Sequence, residues 1–328
     1  MDLFDVLALI GGLSLFLFGM HIMAQALERR AGSNLQTALQ KLTGSRFSGF
    51  LTGLAVTAAI QSSSATTIMV VGFVNSGLMQ LSQAIHVIIG ANVGTTVTAW
   101  VLSLAGVQGG NFFLQLLKPS SFTPVLALAG IILLLFNKHP RRNDTGVILL
   151  GFATLMTGME SMSAAVAGLR DIAAFRQLFL AFENPLLGML AGAALTAVIQ
   201  SSSAAVGILQ SLAGTGQVTY GAAVPIIIGQ NIGTCVTTLI SCVGTTCHAK
   251  RAAFVHLSFN LIGALAWLSI FWIIKILLMP AVFFAPASLF GVAATHTAFN
   301  LLCTALLLPA APLLEKLVVR LIPEQHNP

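Results

Sequence analysis

The sequence predicts an all-α polytopic membrane protein with two inverted-topology repeats, each holding a re-entrant helix hairpin and a broken transmembrane helix. Hydrophobic residues make up 56% of the 328 residues and charged residues only 7%, whereas soluble domains carry about 25% charged residues. The apolar segments have the length of membrane helices and not of barrel strands. A polar motif and its surroundings also occur twice along the chain. Together these three observations favour a duplicated helical membrane protein.

A stretch of five residues that occurs twice in the chain indicates the repeat. Gln61 to Ala65 reads Gln-Ser-Ser-Ser-Ala, and the same five residues recur at 200–204, 139 positions later. A second motif, Gly-x-Asn-x-Gly-Thr, also occurs once in each half in the same register. We therefore expect the first repeat to occupy residues 1–137 and the second to occupy residues 138–328.

Each repeat is expected to begin with a span, followed by a hairpin of two half-length apolar segments. About 20 residues are needed to cross the hydrocarbon core, and the segments flanking each Gln-Ser-Ser-Ser motif are shorter. Such a bend is tolerated at membrane depth where it is buried in protein or lines a cavity. The glycine motif falls inside the next span and predicts a break there, because glycine loosens a helix. In order, the predicted segments are a span at 3–27, a hairpin at 47–79, spans at 83–106, 121–137 and 145–168, a hairpin at 185–214, and spans at 218–243, 252–276 and 284–310.

The basic residues predict the orientation. If each hairpin returns to the side from which it entered, the basic loops at 28–46, 138–145 and 245–251 and the C-terminal tail fall on one side. Loops rich in Lys and Arg remain in the cytoplasm. We therefore expect the N-terminus outside and the C-terminus inside a plasma membrane or bacterial inner membrane. The two hairpins then enter from opposite sides, which is the architecture of many secondary transporters.

The composition also argues against several classes of function. The net charge of +6 lies in short loops, where it orients the protein, so we expect no nucleic-acid partner. The spacing Cys242-x4-Cys247 does not match a zinc site, and we expect no cofactor. An enzyme would need a positioned acid–base set or a metal cluster, and one intramembrane carboxylate with scattered histidines does not supply it.

The repeated motifs carry groups that bind ions. Each Gln-Ser-Ser-Ser bend would supply three hydroxyls, an amide and free backbone N–H groups, which are donors for a small oxyanion. The same hydroxyls, freed carbonyls and the Gln and Asn amide oxygens are hard ligands for Na⁺. Neither bend and neither glycine-containing span holds Lys or Arg, and a buried anion without a cation is very costly. The site is therefore either not for anions or receives its cation with the substrate. Close helix packing through small residues is the structural alternative.

The paired Gln-Ser-Ser-Ser motifs, each followed by Gly-x-Asn-x-Gly-Thr, resemble the type II sodium–phosphate cotransporter family, including its bacterial members. The resemblance covers most of the chain and implies Na⁺-coupled transport of inorganic phosphate, with the bends forming the substrate and sodium sites. By match to the motif, the phosphate candidates are Ser62, Ser63, Ser64, Ser201, Ser202 and Ser203. The candidates for sodium binding or bend support are Gln61, Gln200, Thr66, Asn92, Thr95, Asn231 and Thr234.

Three further polar residues need an interpretation. Glu160 is the only carboxylate well inside a predicted span, and its repeat mate is His21. An intramembrane ionisable group is a functional hypothesis, so Glu160 is a candidate for coupling, by binding Na⁺ or carrying a proton. A helix-packing hydrogen bond is the alternative. The family's His-x-x-Phe-Asn pattern occurs only in the second half, at His256 and His296, where we expect structural roles.

Four functions remain in competition. The leading interpretation is a secondary transporter. Its expected partners are phosphate, sodium ions and the lipid bilayer, and a homodimer is one possible assembly. Phosphate export and transport of another small anion are alternatives of the same class. An ion channel with paired re-entrant loops would conduct only downhill. A membrane enzyme is the interpretation with the least support.

Overall fold

A computed structural model describes residues 3–107, 115–116, 118–137, 139–167 and 173–324. In these residues the structure is helical, and the only β-type pairing is an isolated bridge between Thr219 and Pro286. The helices of the first half are α1 Leu3–Ala31, α2 Ser33–Lys41, α3 Arg46–Ile60, α4 Ser63–Asn75, α5 Leu81–Ser103 and α6 Pro119–Phe136. Those of the second half are α7 Pro140–Ala167, α8 Ala173–Phe182, α9 Pro185–Ile199, α10 Ser202–Ala213, α11 Tyr220–Ser241, α12 Cys247–Leu277, α13 Leu289–Leu307 and α14 Ala311–Leu321.

Seven helices of the described chain are long and apolar enough to cross a membrane, namely α1, α5, α6, α7, α11, α12 and α13. They correspond one to one with the seven predicted spans, so the all-α, multi-pass prediction is confirmed. Helices α3, α4, α9 and α10 are apolar but only 12 to 15 residues long, less than the roughly 20 residues that a span needs. We call α3–α4 the first hairpin and α9–α10 the second hairpin.

Glycines bring α1 and α7 into close contact. A Cβ added to Gly19 would overlap the backbone of Leu155, and one added to Gly158 would overlap the backbone of Phe16. The helices run antiparallel. Phe16, earlier in α1, contacts Gly158, whereas Gly19, later in α1, contacts Leu155, which is earlier in α7. Small residues allow this close approach of backbones. The two glycines are 139 positions apart, as are Phe16 and Leu155, so repeat-equivalent residues make reciprocal contacts.

Helices α5 and α11 are continuous, and the prediction that each is broken is wrong. Both are uninterrupted through the glycine motif, and α11 also continues through Pro225. The glycines serve packing instead. A Cβ on Gly90 would overlap the carbonyl of Phe50 in α3, and one on Gly229 would overlap the carbonyl of Met189 in α9. Each glycine motif therefore lets the first helix of a hairpin lie directly against a long helix while the helical hydrogen bonds stay intact.

The two hairpins have their open ends at opposite ends of α12. The backbone N–H of Thr246 donates to Asn75 Oδ1 at 3.0 Å, which joins the start of α12 to the end of the first hairpin. At the other end, Lys275 Nζ donates to the backbone carbonyl of Glu183 at 2.9 Å. Glu183, which also accepts a hydrogen bond from Thr219 at 2.8 Å, lies at the start of the second hairpin. The 31 residues of α12 span about 46 Å, so the hairpins approach each other from opposite directions.

Three amphipathic helices occur where the sequence analysis placed loops. Helix α2 buries Leu35 and Leu39, α14 buries Leu314 and Val318, and α8 buries Phe179. The charged residues of these segments suggested loops, but a narrow apolar stripe is enough to hold a surface helix. Parts of the chain between these helices lie outside the described residues, namely 108–114, residue 117, residue 138 and 168–172.

Candidate functional site

Both Gln-Ser-Ser-Ser motifs form the same tight bend. Gln61 ends α3 with φ 57° and ψ 27°, and Gln200 ends α9 with φ 60° and ψ 23°. These left-handed values are uncommon for any residue but glycine, and among the described residues Met279 is the only other non-glycine with positive φ. Such a backbone costs about 1–2 kcal/mol per residue. A glutamine held there at both equivalent positions is the kind of local strain from which a functional role is inferred.

Ser62 and Ser201 follow the bends and cap the next helix of each hairpin. The Oγ of Ser62 accepts from the backbone N–H of Ala65, and the Oγ of Ser201 accepts from that of Ala204, both at 3.2 Å. A serine cap satisfies one of the N–H groups that a helix start leaves unpaired, and its own hydroxyl hydrogen remains a donor. Of the other predicted serines, Ser63, Ser202 and Ser203 are buried and Ser64 is partly buried.

The two bends meet at one cavity of about 700 Å³, which we call the bend cavity. Gln61 and Ser62 contribute from the first hairpin, and Gln200 and Ser201 contribute from the second. The structure therefore brings together two pairs of predicted residues that are 139 positions apart. The other lining residues are Leu17, Phe18, Met20, His21, Ala24, Val198 and Ile199.

Each bend directs both a helix start and a helix end towards the bend cavity. Helices α4 and α10 begin at Ser63 and Ser202, and the unpaired N–H groups at a helix start favour anions. Helices α3 and α9 end there, and carbonyl oxygens at a helix end favour cations. The Nε2 of Gln61 donates to the carbonyl of Ala58 at 2.6 Å, which orients its amide against the last turn of α3. One cavity can thus bind an anion and cations side by side.

Of the remaining motif residues, Thr66 bonds to the first bend and the other four lie within the long helices. Thr66 donates to the carbonyl of Ser62 at 3.1 Å and accepts from Thr57 at 2.9 Å, so it braces the first bend. Four others are buried in the long helices and bond to the carbonyl four residues earlier in their own helix. These are Asn92 and Thr95 in α5 and Asn231 and Thr234 in α11, with bonds of 3.2, 3.1, 2.9 and 3.0 Å. Within the described structure they do not line the bend cavity.

His256 joins Asn92 to the second half of the chain. Its Nε2 lies 3.3 Å from Asn92 Oδ1, and its Nδ1 lies 3.0 Å from Thr238 Oγ1. An amide oxygen only accepts, so His256 donates through Nε2–H and accepts from the Thr238 hydroxyl through Nδ1. The ring is thereby fixed between α5 and α11. This is the structural role expected for His256, with both long helices as its partners.

Glu160 and its repeat mate His21 occupy different places. Glu160 lines a second cavity of about 360 Å³ together with Lys118 and Ser163. Among the residues described, neither bend contributes to that cavity, so the structure does not bring Glu160 to the serines. His21 does line the bend cavity, and the sequence analysis did not place it in the site. The sequence feature that could have indicated His21 is the repeat itself, because residues 21 and 160 are equivalent and both are ionisable.

A sequence model of the family described as Na⁺/Pi-cotransporter matches residues 15–164 and again residues 167–307. The two matches together cover most of the chain, and the first runs past residue 137 into α7.

Individual relatives show the same similarity. The chain is 29% identical over 251 residues to the uncharacterized protein YqeW of Bacillus subtilis, which covers 76% of each chain. It is 28% identical over 261 residues to the candidate inorganic phosphate export protein YjbB of Escherichia coli, covering 79% of this chain and 46% of that relative. It is 34% identical over 133 residues to the human sodium-dependent phosphate transport protein 2B, covering 38% of this chain and 19% of that relative.

The chain thus spans about half the length of YjbB and a smaller share of the human transporter. No solved structure matches the chain. Because the family model matches both halves, and because both halves carry the paired motifs at one cavity, the chain belongs to the Na⁺/Pi-cotransporter family.

Proposed function

We propose that the protein is a secondary transporter that carries inorganic phosphate across the plasma membrane or bacterial inner membrane in symport with Na⁺. The observation that carries this proposal is the bend cavity, where two helix starts and two helix ends converge. Ser62 and Ser201 offer hydroxyls and adjacent N–H groups to phosphate. The amide oxygens of Gln61 and Gln200, with the carbonyl ends of α3 and α9, offer oxygen ligands to Na⁺.

The transporter would consist of two inverted repeats with re-entrant hairpins. The reciprocal contacts of α1 and α7 support this topology, as do the positions of the two hairpins at opposite ends of α12. Arg29 pairs with Asp144 at 3.0 Å, and Arg251 donates to the carbonyl of Ile322 at 2.9 Å. Basic segments thus adjoin the starts of α7 and α12. We assign this end to the cytoplasm, following the positive-inside rule.

Charge explains why sodium would be needed. Moving a phosphate dianion inward against 100 mV costs about 4.6 kcal/mol, at about 2.3 kcal/mol per charge. Each Na⁺ entering down a tenfold gradient contributes about 3.7 kcal/mol from its gradient and the potential together. One Na⁺ therefore falls short, and two leave a surplus of about 2.8 kcal/mol with an electroneutral cycle. We expect at least two Na⁺ for each dianion.

The test is uptake of radiolabelled phosphate into proteoliposomes that contain the purified protein, with a Na⁺ gradient as the only imposed driving force. We expect phosphate to accumulate above equilibrium, with an initial rate that is sigmoidal in Na⁺ and hyperbolic in phosphate. Replacing Na⁺ by K⁺ should abolish accumulation. Phosphate that equilibrates without ever being concentrated would refute coupling and would favour the channel interpretation.

A matched set of glycine substitutions tests the site itself. Glycine at a helix cap costs only a few tenths of a kcal/mol relative to serine, so Ser62→Gly and Ser201→Gly should fold normally. Loss of one hydrogen bond to a charged group is expected to weaken phosphate binding about tenfold to 150-fold. Ser288, which caps α13 by accepting from Gly291 at 2.9 Å, lies outside the bend cavity. Ser288→Gly is therefore the control and should bind phosphate as wild type does.

Phosphate export is the second candidate, and the name of the relative YjbB favours it. Export of a dianion from a negative interior is driven by the potential, so it would not require Na⁺. Proteoliposomes preloaded with phosphate and given an inside-negative potential distinguish the two. Release that is fast without Na⁺ on either side would indicate export, whereas release that requires Na⁺ would indicate a reversible symporter.

A further inference from the structure

Among the described residues that line the bend cavity, one side chain is ionisable. Of its eleven lining residues, only His21 can carry a charge, because the others are apolar residues, two glutamines and two serines. Phosphate in this cavity would otherwise meet only neutral donors. Taking a charged group out of water is costly unless it is paired and hydrogen-bonded. A further hydrogen-bond donor would therefore complement the four neutral polar side chains.

The position of His21 on α1 follows from helix geometry. Gly19 faces α7, where its missing Cβ allows contact with Leu155. Two residues further, at about 100° per residue, His21 points to nearly the opposite side of the helix. It forms a stripe with Leu17 and Ala24, at the spacing i, i+4 and i+7, and all three line the bend cavity. Packing against α7 thus fixes the face of α1 that presents His21 to the bends.

Only one of the two repeat-equivalent helix stripes lines the bend cavity. The α7 equivalents of the stripe are Met156, Glu160 and Ser163, each 139 positions later, and all three line the second cavity. Of these two cavities, the bends line only the one that contains His21. The two repeats are therefore equivalent in sequence register but not in their relation to the bends. The residue at the bends is a histidine, whose ring can donate a hydrogen bond to phosphate, and not a carboxylate, which would repel it.

The hydrogen bond of His21 defines which ring nitrogen can donate. Its Nε2 lies 2.9 Å from Nε2 of Gln25, one turn further along α1. An amide nitrogen only donates, so the imidazole Nε2 is the acceptor, and the ring proton resides on Nδ1. Gln25 thus orients the ring and leaves Nδ1–H as the donor of His21.

We propose that His21 is a phosphate-binding residue of the bend cavity, which donates a hydrogen bond through Nδ1–H to an oxygen of the bound oxyanion. The proposal rests on the proposed function, because it assumes that phosphate occupies this cavity. It adds α1 to a phosphate site whose sequence-predicted ligands, the six serines, all lie in the two hairpins. Helix α1 would then respond to the substrate directly, and the contact between α1 and α7 would connect phosphate to both repeats.

Equilibrium binding of radiolabelled phosphate to the purified protein in detergent with saturating Na⁺ tests the proposal. We expect His21→Ala to weaken phosphate binding about tenfold or more. His21→Asn should bind phosphate more tightly than His21→Ala, because the amide of asparagine places an N–H near the position of Nδ1. His139→Ala, at an exposed histidine outside the cavity, is the matched control and should bind as wild type does. Because His21 is itself exposed, these variants should keep the melting temperature of the wild type.

The outcomes separate this proposal from the proposed function. If the wild type does not bind phosphate, the proposed function fails before any variant is measured. If the wild type binds and His21→Ala binds equally well, His21 is not a ligand while the proposed function stands. An asparagine variant as weak as the alanine variant would also refute the Nδ1–H donor.

Discussion

At the scale of single residues, the left-handed glutamines carry the most information about the site. Gln61 and Gln200 have nearly the same backbone angles, although they belong to different hairpins. Glycine would adopt this conformation without strain, so the glutamine side chain is present at the cost of local stability. We infer that the amide is used in the cavity, and we expect its removal to affect transport more than folding.

Gln200→Gly separates the side chain from the backbone. Relief of the left-handed strain, about 1–2 kcal/mol, is offset by the greater freedom of glycine in the unfolded chain, about 0.4–1 kcal/mol. The free energy of unfolding of the variant should therefore equal that of the wild type or exceed it by up to about 1.6 kcal/mol. The initial rate of Na⁺-driven phosphate uptake into proteoliposomes should fall at least about tenfold, because the variant no longer offers the Gln200 amide oxygen to Na⁺. A variant that melts normally and also transports at the wild-type rate would show that this position needs only a backbone conformation.

At the scale of helices, the glycine motifs position the bends by close packing. Gly90 and Gly94 in α5 lie against α3, and Gly229 and Gly233 in α11 lie against α9. The first helix of each hairpin is thereby held parallel to a long helix, with its C-terminal end at the bend cavity. Sequence analysis identified these glycines as important but assigned them the wrong effect, since glycine can weaken a helix or permit contact. Only the partner helix decides which of the two occurs.

Two alanine substitutions distinguish packing from flexibility. At Gly90 a Cβ would overlap the carbonyl of Phe50, and overpacking costs about 1–3 kcal/mol, so Gly90→Ala should lower the melting temperature in detergent. Gly72 lies within α4 with nothing within 4 Å of an added Cβ. Gly72→Ala should be neutral or stabilising, by up to about 1 kcal/mol. If Gly90→Ala were instead as stable as Gly72→Ala, the close packing described for α3 and α5 would be wrong.

At the scale of the whole molecule, two hairpins reach one cavity from opposite ends of the helix bundle. The ion pair between Lys275 and Glu183, with both side chains 17% exposed, ties the second hairpin to the far end of α12. Asn75 ties the first hairpin to its near end through the N–H of Thr246. In a membrane, this arrangement would give each hairpin access to a different side, with one substrate site between them.

Cysteine labelling in intact cells or oriented vesicles tests the membrane topology. Asn34→Cys and Arg141→Cys should react with an impermeant maleimide only from the cytoplasmic side, and Gln177→Cys should react only from outside. All three positions are exposed. The native Cys235, Cys242 and Cys303 are buried, so a background in which only the partly exposed Cys247 is replaced by Ser suffices as the unlabelled control. Labelling of positions 34 and 177 from the same side would refute the inverted topology.

The sequence by itself determined the helical membrane class, the seven spans, the duplication and the residues of the two bends. These features depend on local composition and on a register of 139 positions, such as the match of Ser62 with Ser201, and both are visible without long-range contacts. Tertiary structure alone decided that the glycine-containing helices remain continuous and that both bends line one cavity. It also placed His21 at the bends and Glu160 in another cavity. These outcomes depend on which helices pack against each other. Two repeats with equivalent sequences can contact different neighbours in the folded protein, and the sequence repeat does not specify which neighbours they contact.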